Sequence, residues 1–260
     1  MTTIQTLQRL REKIVIVSTK AREGHIPSAL SILDLLWVLY DSILKISPFD
    51  NTRDYFIMSK GHASIGLYAV LSEKNLIEEG ELESFASFDS KLGGHPDRNK
   101  LPYIEASTGS LGHGMPIGVG VALSKKINAL PGNVYLLVGD GECNEGSIWE
   151  AALLGAQHRL NNICCIVDHN HTTDRALSID SIEEKFSAFG WETLSIPGHD
   201  HKAIHAAFAY FLNRKSDKPL CIVANTTKGW GVKMMENNPE WHHKTPSEQE
   251  LNQILREIYV

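Results

Sequence analysis

The stretch at 134–172 constrains the fold most, because its polarity pattern indicates a strand, a turn, a helix and a second strand. Residues 134–138, VYLLV, form a continuous apolar run that is typical of a parallel strand buried on both faces. The run stops at Asp140, which lies between two glycines. Apolar residues then recur at helical spacing, and a second apolar run at 163–167 leads to Asn170. The stretch therefore predicts one parallel strand-helix-strand crossover.

The two turns of this crossover predict a metal site. Carboxyl ends of parallel strands share one sheet edge, so Asp140 and Asn170 are expected to face the same crevice. Mg²⁺ prefers oxygen ligands, usually a carboxylate or two with phosphate oxygens and water. The glycines beside Asp140 let the backbone approach a diphosphate, and N–H groups at the next helix start favour its charge. A Gly-Asp-Gly turn alone is more typical of an ordinary crossover whose aspartate caps a helix. Here, however, the 26 residues at 142–167 have the length of one crossover and lead to Asp168, His169 and Asn170, which favours the metal site.

Strands and helices alternate along the rest of the chain. Helices are predicted at 3–21 (ending near Gly24), 63–73, 115–129, 182–189, 201–213 and from Ser247 onward, and strands at 54–59, 191–196 and 220–225. The run at 29–44 is apolar almost all round, which indicates a helix covered on several sides by sheet, helix or another subunit. Residues 86–112 are predicted to be a long loop. This alternation predicts an α/β fold with a mostly parallel sheet and helices on both faces, in one domain of residues 1–260.

Composition excludes several function classes. A net charge of −6 and a pI near 6.0 provide no basic patch for nucleic acid. The four cysteines lack metal-ligand spacing, and adjacent Cys164 and Cys165 are predicted to point to opposite faces of a buried strand as reduced core residues. No uninterrupted apolar stretch approaches 18 residues, and the N-terminus lacks a signal-peptide core. We therefore expect a cytoplasmic protein without a membrane or nucleic-acid partner.

The motif series resembles a known enzyme family. GDGECNEG followed by NNICCIVDHN is similar to the thiamine-diphosphate motif, and the surrounding chain resembles the amino-terminal half of a transketolase. The other matching segments, in order, are GHIPSALS, SKGHAS, GGHPD and EASTGSLGHG. The resemblance implies a three-layer thiamine-diphosphate-binding fold. It also implies thiamine diphosphate as cofactor, with Mg²⁺ or another divalent cation such as Ca²⁺ or Mn²⁺.

The resemblance assigns roles to some of the 12 histidines. His62 matches a histidine that contacts the cofactor diphosphate, whereas His25 and His95 match histidines that hydrogen-bond the sugar hydroxyls and carbonyl. His243 matches a further diphosphate-contacting histidine by its spacing to Pro246. These four are the candidate catalytic residues. Histidines 113, 169, 171 and 242 receive no assignment, and histidines 158, 199, 201 and 205 are interpreted as exposed or hydrogen-bonded residues without a catalytic role.

The resemblance also implies the remaining site residues. The metal ligands would be Asp140, Asn170 and the main-chain carbonyl of Thr172. The local sequence NHTT around Thr172 departs from the more usual version that contains Gly or Lys. The cofactor-binding residues would be His62, Gly109, Leu111, Gly141, Glu145, Asn170 and His243. Glu145 and Glu150 match acidic residues that form a hydrogen-bonded network across the family's dimer, where close carboxylates titrate jointly.

The predicted reaction is transfer of a two-carbon ketol unit from a ketose, often phosphorylated, to an aldehyde acceptor. In the family, the glutamate that activates the cofactor's pyrimidine belongs to a following domain of the partner polypeptide, and this chain ends at Val260 before such a domain. The resemblance therefore implies the diphosphate-binding subunit of a split transketolase, completed by a separate pyrimidine-binding subunit in a two-fold heterotetramer.

Two other functions stay open from the sequence. An α-type subunit of a 2-oxo acid dehydrogenase or decarboxylating enzyme shares the metal motif, but it would not need His25, His62 and His95 for a polyhydroxylated substrate. A non-catalytic cofactor-binding subunit, nucleotide-binding module or scaffold is the second alternative. No GxGxxG or P-loop follows a strand in this sequence, which disfavours nucleotide binding.

Overall fold

The fold is built around a central sheet of parallel strands. The computed structural model describes residues 2–23, 25–47, 49–78, 80–174 and 177–259. Within them the strands are β1 (Tyr55–Met58), β2 (Val134–Gly139), β3 (Ile163–His169), β4 (Glu192–Pro197) and β5 (Leu220–Asn225). The helices are α1 (Thr3–Ala21), α2 (Ile26–Val38), α3 (Ser64–Glu73), α4 (Gly114–Ile127), α5 (Gly146–Gln157), α6 (Ile182–Ala188), α7 (His201–Asn213) and α8 (Glu248–Ile258).

The strand order is β1-β2-β3-β5-β4, and every neighbouring pair is parallel. Since β2 and β3 are adjacent, with Gly139 opposite Asp168, the residues after their ends share one edge of the sheet. Asp140 and Asn170 therefore come together, as the sequence predicts. Strand β3 runs to His169, two residues beyond its apolar run, so Asp168 lies inside the strand rather than in the turn.

Helices cover both faces of the sheet and separate two clusters of buried side chains. One cluster joins α1, α2, α3, α7 and α8 to one face, and the other joins α4, α5 and α6 to the opposite face. Cys164 belongs to the first cluster and Cys165 to the second, so adjacent residues of β3 point to opposite layers. Both thiols are buried and free. The three-layer prediction is confirmed.

Helix α2 explains the longest apolar segment of the chain. Every residue of α2 is buried, and a π-helical turn at Leu39–Ile43 extends it. The segment Ile26–Ile43 is long and apolar enough to span a bilayer, but 78% of it is buried inside the protein. Its apolar character is therefore explained by packing against α1, α3 and α7.

The predicted element boundaries agree closely with the structure. Helix α1 ends at Ala21, followed by Arg22 in the left-handed conformation, and Gly24 lies outside the described residues. Helix α8 begins after Ser247, whose side chain and that of Glu250 form the predicted capping box. The segment at 86–112 carries neither helix nor strand, as expected of a long loop. That residues 1–260 form one domain stays a prediction.

Candidate active site

A cavity of about 220 Å³ opens at the carboxyl edge of the sheet. Its lining includes the predicted residues Asp140, Gly141, Asn170 and Thr172 from the turns after β2 and β3, together with His25 and His62. The first four are neighbours because β2 and β3 are adjacent, and the two histidines reach them from the start of α2 and from the turn after β1. The fold thus brings six predicted residues together.

Asp140 is a buried carboxylate with one unsatisfied oxygen. Its Oδ1 accepts a hydrogen bond from the Gly141 N–H at 2.7 Å. Its Oδ2 is buried and has no hydrogen-bond partner in the described part of the chain. Burial raises the pKa of Asp140, and the negative charge of Asp168 raises it further. An unpaired buried carboxylate oxygen is costly, and a bound cation would satisfy it.

Asn170 is oriented by its neighbours. Its amide nitrogen donates to Asp168 Oδ2 at 2.9 Å and to Ser31 Oγ at 3.2 Å. Its amide oxygen accepts from the Thr172 N–H at 3.2 Å and from the Thr172 hydroxyl. The nitrogen is therefore used inside the protein, and the oxygen lies on the side of Thr172. Together with Asp140, this oxygen-rich donor set fits Mg²⁺.

A buried ion pair lies beneath the predicted metal ligands. Asp168 is fully buried and pairs with Lys60, which is itself 2% exposed. Asp168 Oδ1 also accepts from Thr226 Oγ1 at 2.5 Å and from Ser31 Oγ at 2.7 Å. Burial alone would raise the pKa of Asp168, but the Lys60 charge and these hydrogen bonds lower it. Sequence reasoning missed this pair, although a charged residue at the end of an apolar strand is a signal for it.

Four histidines form a cluster at the mouth of the cavity. The His25 ring centroid lies 5.0 Å from that of His62, 5.7 Å from that of His242 and 4.7 Å from that of His243. His25 has a left-handed backbone, with φ of 70°, at the N-cap of α2. Its Nδ1 is buried and has no hydrogen-bond partner among the described residues.

The inner histidines of this cluster are neutral near pH 7. Burial, followed by the charges of His243 and His242, lowers the pKa of His25 to about 4. Burial, followed by the charge of Lys60, lowers the pKa of His62 to about 2. Neutral imidazoles can both donate and accept hydrogen bonds, so these two can orient hydroxyl, carbonyl or phosphate oxygens.

The structure adds His242 and Lys228 to the site. Lys228 Nζ and His242 Nδ1 are 2.9 Å apart, and both residues line the cavity. Burial, followed by the charge of Lys60, lowers the pKa of Lys228 to about 8, which leaves it mostly protonated at pH 7. The sequence signal for Lys228 is its position in Thr226–Gly229, directly after β5. The cavity therefore combines oxygen groups that could bind a cation with a positive charge that suits an anion.

Leu111 lines the cavity, whereas Gly109 and His95 lie beside it. A Cβ on Gly109 would lie 3.0 Å from Cδ2 of His95, so the two residues pack closely and a side chain on Gly109 would displace the ring. His95 is exposed, and its charge contributes to the lowered pKa of His25.

Glu142 connects the loops of the site. Its Oε1 accepts from the Ser59 hydroxyl and from the Gly112 N–H at 2.9 Å, and its Oε2 accepts from the Gly139 N–H at 3.3 Å. Burial raises the pKa of Glu142 despite these hydrogen bonds. This carboxylate joins the ends of β1 and β2 to the loop before α4. Sequence reasoning missed it.

Glu145 and Glu150 are not part of the cavity. Both are exposed, Glu145 at the N-cap of α5 and Glu150 within this helix, where Leu153 and Leu154 are also 57% and 53% exposed. Ile117 of neighbouring α4 is 42% exposed. The role predicted for the two glutamates across a dimer stays a prediction.

Comparisons with known proteins give one consistent result. Residues 3–259 match the family model described as "Transketolase, thiamine diphosphate binding domain". One subunit of the apulose-4-phosphate transketolase of Phocaeicola vulgatus is 37% identical over 259 residues, covering 96% of this chain and 92% of its own. The subunit of the same name from Actinobacillus succinogenes is 39% identical over 258 residues, covering 96% and 93%. The crystal structure of transketolase from Campylobacter jejuni superposes with a TM-score of 0.87 at 31% identity, over all of this chain and 43% of that one.

Proposed function

Since this chain belongs to the transketolase family of thiamine-diphosphate-binding domains, we propose that it forms the diphosphate-binding half of a two-component transketolase. The reaction is transfer of a two-carbon ketol unit from a ketose, often phosphorylated, to an aldehyde acceptor. The observation that carries the proposal is the unsatisfied Asp140 Oδ2 beside the oriented amide of Asn170. The family match and the names of the two bacterial relatives favour this reaction over the 2-oxo acid alternative.

Asp140, Asn170 and the main-chain carbonyl of Thr172 would hold the divalent cation. All three residues line the cavity. Mg²⁺ suits their oxygen ligands and leaves coordination positions for phosphate oxygens and water. Ca²⁺ and Mn²⁺ accept the same ligand types.

The cofactor diphosphate would lie between the cation and the histidine cluster. His62 and the backbone of Gly141, which line the cavity, would contact it together with His243 of the histidine cluster, and the protonated amine of Lys228 would balance its charge. Gly109 and Leu111 would line its rings. When bound, thiamine diphosphate supplies a thiazolium carbanion that serves as nucleophile and electron sink.

His25 and His95 would handle the sugar. Because the pKa of His25 is about 4, its ring is neutral at pH 7 and can accept a hydrogen bond from a substrate hydroxyl. The charge of His95 contributes to the lowered pKa of His25, and we propose that both rings contact oxygens of the sugar chain.

A separate partner chain would complete the site. The two bacterial relatives are each named as one subunit of a transketolase, and this chain covers more than nine-tenths of either one. We propose that residues 1–260 form a single diphosphate-binding domain and that the partner provides the pyrimidine-binding and carboxyl-terminal domains. Ile117, Leu153 and Leu154 would be covered in a two-fold heterotetramer, with Glu145 and Glu150 forming a proton-sharing network. The proposed location is the cytoplasm.

The test compares substrates on the complex of this chain with its partner, loaded with Mg²⁺ and thiamine diphosphate. We expect ketol transfer from a ketose phosphate to an aldehyde and no decarboxylation of pyruvate. His95→Ala should lower kcat/KM for the ketose by about 100-fold, since a lost proton-transfer or hydrogen-bonding group typically costs that much. His158→Ala, at an exposed histidine outside the site, is the matched control. Consumption of pyruvate, or equal activity of both variants, would contradict the proposal.

A further inference from the structure

A second group of metal-binding side chains lies next to the proposed magnesium ligands. His169 is the last residue of β3, and His171 and Asp174 follow it in the next turn. One ligand atom from each of the three lies within 4.8 Å of the other two. A tetrahedral zinc site with bonds of about 2.0–2.1 Å needs ligand atoms roughly 3.4 Å apart. Small side-chain rotations would therefore close this group around an ion.

The backbone brings the two imidazoles together. His171 has φ of 61°, in the left-handed region that non-glycine residues adopt at a cost of about 1 kcal/mol or more. In this conformation its ring centroid lies 4.0 Å from that of His169, with the rings tilted by 44°. In a regular extended continuation of β3, residues 169 and 171 would lie on the same face but roughly 6.6 Å apart along the strand. The turn thus places two nitrogen ligands side by side.

The hydrogen bonding in this group is incomplete. Nδ1 of His169 is buried and has no hydrogen-bond partner in the described ranges. Nδ1 of His171 lies 2.9 Å from Asp174 Oδ2. A buried imidazole nitrogen without a partner costs free energy, and a cation bound by this nitrogen would recover it.

We propose that His169, His171 and Asp174 form a second metal site that takes Zn²⁺ or a similar transition-metal cation. Two imidazoles and one carboxylate are ligands for such ions, whereas Mg²⁺ prefers oxygen alone. The side chains of His171 and Asp174 are 54% and 42% exposed, so a further position of the ion faces solvent and can hold water. None of these residues is a ligand in the proposed magnesium site, and the inference therefore does not rest on the proposed function.

The proposed zinc site lies where it can affect the proposed magnesium site. His171 and Asp174 line a second cavity, together with Asn170, Thr172 and Lys228. A metal that joins 169 to 174 fixes the turn containing Asn170 and Thr172. Zinc occupancy would then fix the conformation of residues that line both cavities.

The experiment is a zinc titration of the full chain in excess Mg²⁺, after removal of metals with a chelator. We expect one Zn²⁺ per chain by calorimetry and visible absorption from tetrahedral Co²⁺ as its substitute. His171→Asn removes the imidazole but keeps a side chain that tolerates the left-handed backbone. It should weaken zinc binding by about 10-fold to 100-fold, and Asp174→Asn should have a smaller effect in the same direction.

Two controls keep the result specific. His113→Asn, at another exposed histidine, should leave zinc binding unchanged. His25→Ala tests the histidine cluster, which is the other group of imidazoles able to hold zinc. Zinc binding that survives His171→Asn but is lost in His25→Ala would overturn the proposal, as would the absence of stoichiometric binding to the wild-type chain. Thermal unfolding of each variant verifies that it is folded.

Discussion

Asp140 and Asp168 lie at the ends of neighbouring strands, yet they meet opposite environments. Both carboxylates are buried, at 4% and 0% exposure. Every oxygen of Asp168 is bound by a cation or a hydrogen-bond donor of the protein itself, and its pKa is lowered. Asp140 keeps an unsatisfied oxygen, and its pKa is raised. Burial is therefore common to both, and the lack of a partner is what distinguishes the proposed ligand Asp140 from the structural carboxylate Asp168.

The strand order produces this difference. Lys60 follows β1, Ser31 lies in α2 and Thr226 follows β5, and all three converge beneath the end of β3. Asp140, one residue beyond β2, lies past these donors and faces the cavity. The inner aspartate stabilises the edge of the sheet, whereas the outer one is available for an ion.

The largest effect is expected from Asp168→Asn. This change leaves Lys60 buried without a counter-charge, which typically costs about 3–5 kcal/mol of unfolding free energy. Urea denaturation of the metal-free chain measures it. The double variant Lys60→Met, Asp168→Asn should recover part of the loss, because neither charge remains. A loss below about 1 kcal/mol in the single variant would show that the ion pair does not stabilise the fold.

Asp140→Asn should affect binding rather than folding. Since the carboxylate is buried and its pKa is raised, replacing it with a neutral isostere should leave the unfolding free energy within about 1 kcal/mol of the wild type. Magnesium-dependent binding of thiamine diphosphate should weaken by about 100-fold, or about 2.7 kcal/mol. Calorimetry with and without Mg²⁺ measures this. The comparison fails if Asp140→Asn destabilises the metal-free chain as much as Asp168→Asn does.

Asp34 is a third buried carboxylate, and the pH dependence of stability can test whether its partners stabilise it as those of Asp168 do. Burial alone would raise the pKa of Asp34, but hydrogen bonds from His199 at 3.0 Å and His201 at 2.8 Å and the charge of Arg11 lower it to about 2, from 3.8. The unfolded chain therefore binds this proton more tightly. The stabilisation, about 2 kcal/mol, is present above pH 3.8 and is lost as the pH falls towards 2.

The measurement is the difference in unfolding free energy between the wild type and Asp34→Asn from about pH 6 to about pH 2. We expect this difference to shrink as the pH falls below about 4, since other acid-titrating groups contribute equally to both proteins. A difference that stays constant over this range would mean that Asp34 is not held as a satisfied carboxylate. His199 is thus hydrogen-bonded, as predicted, and the absence of a catalytic role for it stays a prediction.

Much of the fold and part of the site could be predicted from the sequence because their signals are local. Apolar runs define β2 and β3, and the polar residues directly after them are Asp140 and Asn170. The pairing of Lys60 with Asp168 joins positions 108 residues apart and depends on the strand order, which no local pattern contains. His243 is assigned by its spacing to Pro246, whereas it is His242 that lines the cavity. Adjacent residues in an irregular turn have no periodicity that shows which of them points inward.

The orientation of the Asn170 amide is set by buried side chains beneath it. Its two ends have nearly the same shape, but only the carbonyl end can attract a positive ion. Ser31 and Asp168 engage the nitrogen end, and the oxygen is thereby left towards Thr172. Side chains outside the proposed metal site thus decide which pole of the amide faces it, and the Ser31 hydroxyl in α2 would contribute to the affinity of a site formed by distant turns.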